Sequence, residues 1–362
     1  MNSKVRGAPS PKKEGLKRTH PTHTSPESPN KRPRPYPVTP QVRRAHWLMP
    51  RCDDRDKDLW YPDGNVIIYR YSEGRARWFK LYRTRLAQYC GFFDTLLSSS
   101  GSAETTPQLE GCPVYTVPAE VSCDGLSAFF GMLEKPRELS LKPLTQDLAI
   151  SLVQTAHALS CSVVFEYAQQ SLSELWSRDT LPGDSPVDAA RTVTWKEAMV
   201  MITVARKCGV LEILKRAFYE LLVSEDFWVI HDVDSATIDL PDEDIYRLRE
   251  MRLYLNREWP KFVITPPQTD EKGKTKCTPT GYHPPFACEM QNCQRRNTWL
   301  NFALDDEGLD TGARDPLRYN LVKRRAVTLE KTWCQWCLNN KEEVWNNLRM
   351  EWWGVLGDMM KI

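Results

Sequence analysis

Residues 58 to 97, DLWYPDGNVIIYRYSEGRARWFKLYRTRLAQYCGFFDTLL, change their periodicity midway, and that change constrains the fold more than any other feature of the chain. Val66, Ile67, Ile68, Tyr69 and Tyr71 follow the tetrad Pro62-Asp63-Gly64-Asn65. There proline fixes φ and glycine is expected to supply a positive φ, so the tetrad predicts a tight hairpin. A second reversal at Glu73-Gly74 leads into Arg77 to Leu81, a β-favouring run with Trp78 and Phe79. Leu81, Arg85, Leu86, Tyr89, Phe92, Phe93, Leu96 and Leu97 then recur at helical spacing. The segment reads as a hairpin, a further strand and two short helices, and so predicts an α+β fold with a small β-sheet flanked by helices.

That order resembles the opening of a BTB/POZ domain, a module that binds other proteins. The family carries here a phenylalanine strand, then a histidine, a hydroxyl residue and a leucine, then a short helix ending in a serine-aromatic-phenylalanine turn. The matching residues are Phe79, Tyr82, Thr84, Leu86, Cys90 and Phe93, with Tyr82 in place of the histidine and Cys90 in place of the serine. The resemblance continues through residues 112 to 134, like the family's next strand and helix, and through residues 148 to 176, like its closing helix pair. It covers about a third of the chain and lies in the order of elements.

With 362 residues, 41% of them hydrophobic, the chain is long enough for two or three units that each bury a core. No segment approaches the roughly 20 uninterrupted apolar residues of a membrane helix. The polar, proline-rich amino terminus does not read as a secretory signal, so the eleven cysteines are expected to be thiols in a reducing compartment, nuclear or cytoplasmic.

The net charge of +2 conceals an asymmetry: residues 1–51 hold twelve Lys and Arg against Glu14 and Glu27, a net of +10, which leaves −8 for the remainder. Proline stands at 9, 11, 21, 26, 29, 33, 35, 37 and 40, and almost nothing apolar precedes Trp47. Such a segment cannot bury enough surface to offset its ordering entropy and is expected to be a disordered basic tail. Within it Lys31, Arg32 and Arg34 form a compact cluster that reads either as a nuclear-import signal for importin or as a solubilising, weakly RNA-binding patch. An acidic body makes a poor nucleic-acid platform.

The BTB-like unit is placed at 52–177 and a Pro/Gly/Asp/Ser-rich linker at 178–194. A helical extension follows over 195–260. Thr194 and Glu197 have capping-box spacing, Ala198, Met201, Ile202 and Ala205 share one helical face, and Cys208-Gly209 is a stop signal. Leu211, Leu214, Ala217, Phe218, Leu221 and Leu222 mark a partner helix; Pro241 and the acids 242–244 open another, striped by Ile245, Leu248, Met251 and Leu255. This succession is similar to BTB proteins of mushroom-forming fungi. Such helical hairpins either extend contact with a cullin scaffold, as the resemblance implies, or simply pack on the domain.

After a second linker at 261–287, residues 288–362 form a Cys/Trp-rich helical region. Cys288 with Cys293 and Cys334 with Cys337 have spacings compatible with a structural zinc site, because two short pairs deliver four soft donors from two segments. Two small thiols three apart on a helix equally suit an apolar seam, so buried free thiols stand beside zinc as a reading. Trp299, Trp333, Trp336, Trp345, Trp352 and Trp353 are expected to build a local core.

Glycine-rich phosphate loops, a G-x-S-x-G elbow and an H-E-x-x-H helix are absent, which argues against an enzyme. The resemblance implies a protein-binding surface at Phe79, Leu81, Tyr82, Phe129, Phe130, Phe165 and Tyr167, the places where the family meets a cullin. The expected function is therefore non-enzymatic protein binding, as an adaptor for a cullin-type ubiquitin ligase or as a nuclear scaffold. The basic, weakly apolar run 41–51 argues against the swapped homodimer that many BTB domains form.

Overall fold

The structure, a computed structural model, describes residues 54–99, 106–135, 143–177, 179–184, 192–267, 292–304, 309–320 and 335–362, with Val322, Leu329 and Trp333. The expected disordered tail lies outside these residues. Strands β1 (Arg55–Trp60), β2 (Val66–Ser72), β3 (Arg75–Leu81), β4 (Gln108–Leu109) and β5 (Cys112–Thr116) form one mixed sheet in the order β1-β3-β2-β5-β4. With the helices around it, this is an α+β fold.

The hairpin forms at Glu73-Gly74, where both residues adopt positive φ (53° and 76°), and β2 and β3 pair without slippage from Val66 opposite Leu81 to Ser72 opposite Arg75. The tetrad 62–65 makes no hairpin, contrary to the sequence expectation. β1 instead pairs in parallel with β3. The Tyr61 and Asn65 amides donate to the Lys80 and Leu81 carbonyls, each at 3.0 Å, so the turn crosses the end of β3 and delivers β2 to its far side. Gly64 is not among the positive-φ residues. What requires glycine there is close approach, since a β-carbon would lie 3.0 Å from the Lys80 carbonyl carbon and 3.1 Å from the Leu81 oxygen.

β5 joins β2 in parallel after the two short helices predicted from the period change, α1 (Arg83–Tyr89) and α2 (Gly91–Ser99). α3 (Cys123–Glu134) follows, its Ser122 hydroxyl accepting from the Gly125 amide. The hairpin of α4 (Gln146–Ala158) and α5 (Ser162–Leu175) then closes over it. Leu59, Val66, Ile68, Phe79 and Leu81 project from one sheet face into the core these helices complete.

That core does not stop at residue 177. α6 (Trp195–Cys208) packs against α4, and α7 (Leu214–Val223), α8 (Glu225–Val233) and α9 (Asp242–Ile264) continue the same cluster. α6 begins with the predicted capping box and ends on Gly209 at φ 76°. α9 outruns the expected boundary at 260 because Pro260 is accommodated inside the helix. α10 (Asn292–Leu304), α11 (Asp310–Arg314) and α12 (Gln335–Met360) complete the described residues. The expected linker is anchored in part: Arg349 on α12 donates to the Pro182 carbonyl at 2.7 Å and pairs with Asp184 at 2.8 Å.

The tryptophans pack together as expected, Trp299 with Trp333 at 6.2 Å and Trp345 with Trp352 at 5.6 Å, but their core is not confined to the carboxy-terminal region. Trp259 on α9 meets Trp345 and Trp352 of α12 edge-on at 5.4 and 6.4 Å, so the carboxy-terminal helix is built onto the helical extension. Trp336 departs from the expectation: it faces solvent, 43% exposed, on the opposite side of α12 from Trp345 and Trp352.

Candidate protein-binding surface

The seven residues assigned to a contact surface divide by burial. Phe79, Leu81, Phe129 and Phe130 are fully buried and form core, not surface. The physical reason is the position of β3 inside the sheet, which turns Phe79 onto α3, where its ring meets Phe130 at 5.1 Å; Phe129 and Phe93 stand 5.6 and 6.1 Å from the Phe130 ring. Tyr82, Phe165 and Tyr167 keep partial exposure.

Tyr82 occupies the strand-to-helix corner. It sits in extended backbone as the N-cap of α1, stacks on Tyr61 at 5.2 Å and donates its hydroxyl to the Asp63 carboxylate at 2.7 Å. That hydrogen bond to a carboxylate, before any other influence, raises the phenol above its ordinary value, so it remains a donor. The Arg83 amide donates to Asn65 Oδ1 at 2.8 Å and so caps α1 from a neighbouring turn. Arg85 pairs with Glu134 at the end of α3. Phe165 and Tyr167 lie on α5 near Val163, which is 60% exposed. Tyr82 stacks on Tyr61 and not on either of them.

The other sheet face was missed by sequence reading. Ile67, Trp78, Cys112 and Val114 form a second apolar cluster with Trp60, Tyr69, Ala76 and Leu109, and every member comes from a strand. The Tyr69 and Trp78 rings approach to 4.3 Å, and the Arg55 guanidinium covers Trp60 at 4.3 Å. The available signal was the unbroken apolar run 66–69 and the adjacent Trp78-Phe79, since a strand apolar at consecutive positions offers apolar side chains to both faces.

The helical extension carries a buried charge network that the sequence did not disclose. Glu220 accepts from Arg216 Nε at 2.6 Å and from Arg318, while Arg318 also donates to Asp315 at 2.9 Å. The Tyr219 hydroxyl donates to Asp315 at 2.5 Å and accepts from the Leu317 amide at 3.1 Å; burial raises that phenol well above its usual range. Alongside runs a cleft of about 340 Å³ bounded by Leu222, Glu225, Arg252, Asn256, Asp310 and Arg314. Its charges offset one another, with Arg314 on Glu225 at 2.9 Å and Arg252 over Trp228 at 4.9 Å, and its lining contains neither histidine nor cysteine.

Of the four proposed zinc ligands, Cys288 and Cys334 lie outside the described residues, as does the basic cluster Lys31, Arg32 and Arg34. Cys293 falls on α10, its side chain outside the description, and Cys337 is buried on α12. Among the described residues no three His, Cys, Asp or Glu side chains converge to hold a metal ion, and no described helix is long and apolar enough to cross a membrane. No family model, curated protein or solved structure matches the chain.

Proposed function

We propose that the chain is a non-enzymatic protein-interaction module of the BTB/POZ kind that acts as an adaptor for a cullin-type ubiquitin ligase. The observation that carries this reading is the order of elements around the sheet. A hairpin of β2 and β3 is followed by two short helices, a strand parallel to β2, then α3 and the α4–α5 hairpin. That is the order on which the resemblance rests. The docking corner in this reading is Tyr61, Asp63, Tyr82 and Arg85, with Phe165 and Tyr167 on α5; the buried Phe79, Leu81, Phe129 and Phe130 support it from beneath. A tyrosine held by stacking and one charge-assisted hydrogen bond presents a large contact area at low entropic cost.

The test is calorimetry of the full chain against the amino-terminal domain of a fungal cullin. The expected result is micromolar or tighter binding, about −8 kcal/mol or better, weakened by Tyr82→Ala with an unchanged melting temperature. An absence of binding at high concentration would remove the adaptor reading. A second reading, a nuclear scaffold imported by Lys31, Arg32 and Arg34, is favoured by the +10 charge of residues 1–51. A chain lacking that cluster that still concentrates in nuclei would exclude import by this segment.

A further inference from the structure

Two cysteines from distant parts of the chain are brought together where the α1–α2 corner meets the α4–α5 turn. The Gly91 amide donates to the Ser160 carbonyl at 3.0 Å and the Phe92 amide to the Leu159 carbonyl at 3.2 Å. The first amides of α2 thus dock on the last carbonyls of the α4–α5 turn, and Cys90 and Cys161 are the residues that adjoin this contact on either side. A β-carbon placed on Gly91 would lie 3.3 Å from the Ser160 β-carbon, which agrees with that contact. A disulfide requires α-carbons about 4.4–6.8 Å apart, a range within reach of two residues that adjoin the 3.0 Å hydrogen bond between Gly91 and Ser160.

The side chains agree with the backbone. Both cysteines are free thiols, each 1% exposed, and the strongest influence on the ionisation of each is the other. The Cys90 side chain lowers Cys161 below the usual thiol value; burial opposes this, and the Val164 and Val163 amides in the first turn of α5 add to the lowering. The Cys161 side chain, followed by burial, raises Cys90. The pair lies one residue beneath the exposed Gly91, Ser160 and Ser162, which leaves a short path for a small oxidant. Cys112, Cys123 and Cys208 are also buried and free; Cys112 donates to the Gly64 carbonyl at 3.3 Å and Cys123 to the Arg70 carbonyl at 3.6 Å.

We propose that Cys90 and Cys161 form an oxidisable dithiol, a modification site at which hydrogen peroxide converts two thiols into a disulfide joining the α1–α2 corner to the α4–α5 turn. In the first step the Cys161 sulfur attacks one peroxide oxygen. The S–O bond forms, the O–O bond breaks, and the departing hydroxide takes the thiol proton and leaves as water. In the second step the Cys90 sulfur attacks the sulfenic sulfur of Cys161. The S–S bond forms, the S–O bond breaks, and the hydroxyl leaves with the Cys90 proton as a second water. Two electrons pass from the thiols to the peroxide. The site does not depend on the protein-binding reading, and the pair stays reduced where thiol reductants prevail.

The test uses the full, pre-reduced chain and graded hydrogen peroxide, quenched by alkylation in denaturant. Digestion that separates Cys90 from Cys112 and Cys123 then precedes mass spectrometry. The Cys90–Cys161 cross-linked peptide is expected to form roughly tenfold faster than Cys112, Cys123 or Cys208 is oxidised, and to revert with dithiothreitol. Cys90→Ala should abolish the cross-link and leave Cys161 as a dimedone-reactive sulfenic acid. Because the wild-type mapping is sufficient by itself, a variant that fails to fold does not spoil the test. Alkylation of both residues as thiols at doses that oxidise the other cysteines, or at every dose short of unfolding, would overturn the proposal.

Discussion

Gly312 rests directly on the indole of Trp259, so that a β-carbon at this position would overlap the six-membered edge of the ring. Trp259 cannot withdraw, since it is fully buried with Tyr319 at 5.7 Å and Trp345 at 5.4 Å. Gly312→Ala therefore sets two effects against each other. Helix propensity in α11 favours alanine by about 1 kcal/mol, whereas overpacking costs about 1–3 kcal/mol. The clash is with a rigid ring and not a flexible chain end, so net destabilisation is expected. A urea midpoint equal to or above that of the wild type would disprove this account of α11.

Glu220 is a 4%-exposed carboxylate shared by Arg216 and Arg318. Removing it takes a carboxylate from both Arg216 and Arg318, while Asp315 still pairs with Arg318. Breaking a buried pair in this way costs about 3–5 kcal/mol. Glu220→Ala is expected to lower stability by that amount in chemical denaturation. A loss under about 1 kcal/mol would mean that water enters the network and the charges are not desolvated.

The parts of this arrangement that sequence could disclose were the local ones. The Glu73-Gly74 reversal, the Thr194–Glu197 box, the Gly209 stop and the Ile245-Leu248-Met251-Leu255 stripe each depend on residues a few positions apart, and each is present. The tetrad 62–65 misled because its turn chemistry is local but its destination is not: β3, not β1, receives Asn65. Glu220 reads as a surface residue until Arg318, 98 positions away, arrives beside it. Tyr82 was assigned to the strand-to-helix corner by resemblance and is partly exposed there, but its stacking on Tyr61 and its bond to Asp63 depend on that same crossing turn. The Cys90–Cys161 pair was invisible for the same reason, since only the docking of two helix corners brings them together.

The capping box of α6 offers a local measurement. Thr194 Oγ1 accepts from the Glu197 amide at 3.3 Å, and the Glu197 carboxylate accepts from the Thr194 amide at 2.7 Å. Thr194→Ala is expected to cost about 1 kcal/mol, and Thr194→Ser should restore most of it because the oxygen is retained. Equal losses for alanine and serine would instead assign the effect to the threonine methyl group.

Lys341 gives a pH dependence with a definite sign. Its ammonium donates to the Phe262 and Thr265 carbonyls at 2.9 and 2.8 Å, at the end of α9, and lies 3.9 Å over the Phe262 ring. Burial pushes it down from 10.5 to about 7. Between those values the unfolded chain binds a proton that the folded chain does not, so this group's contribution to stability is full above 10.5 and is lost as pH falls through about 7. Within the window the slope is up to about 1.4 kcal/mol per pH unit. Tyr219 and Cys208, raised by burial, act in the opposite sense, losing stability as pH climbs past their ordinary values of 10.0 and 9.0. The wild-type curve alone is therefore ambiguous, and the difference between wild type and Lys341→Met carries the test. That difference should move in favour of the wild type as pH rises from 7 to 10 in urea titrations. A constant difference over the range would show that the two carbonyls and the aromatic face keep Lys341 charged despite its burial.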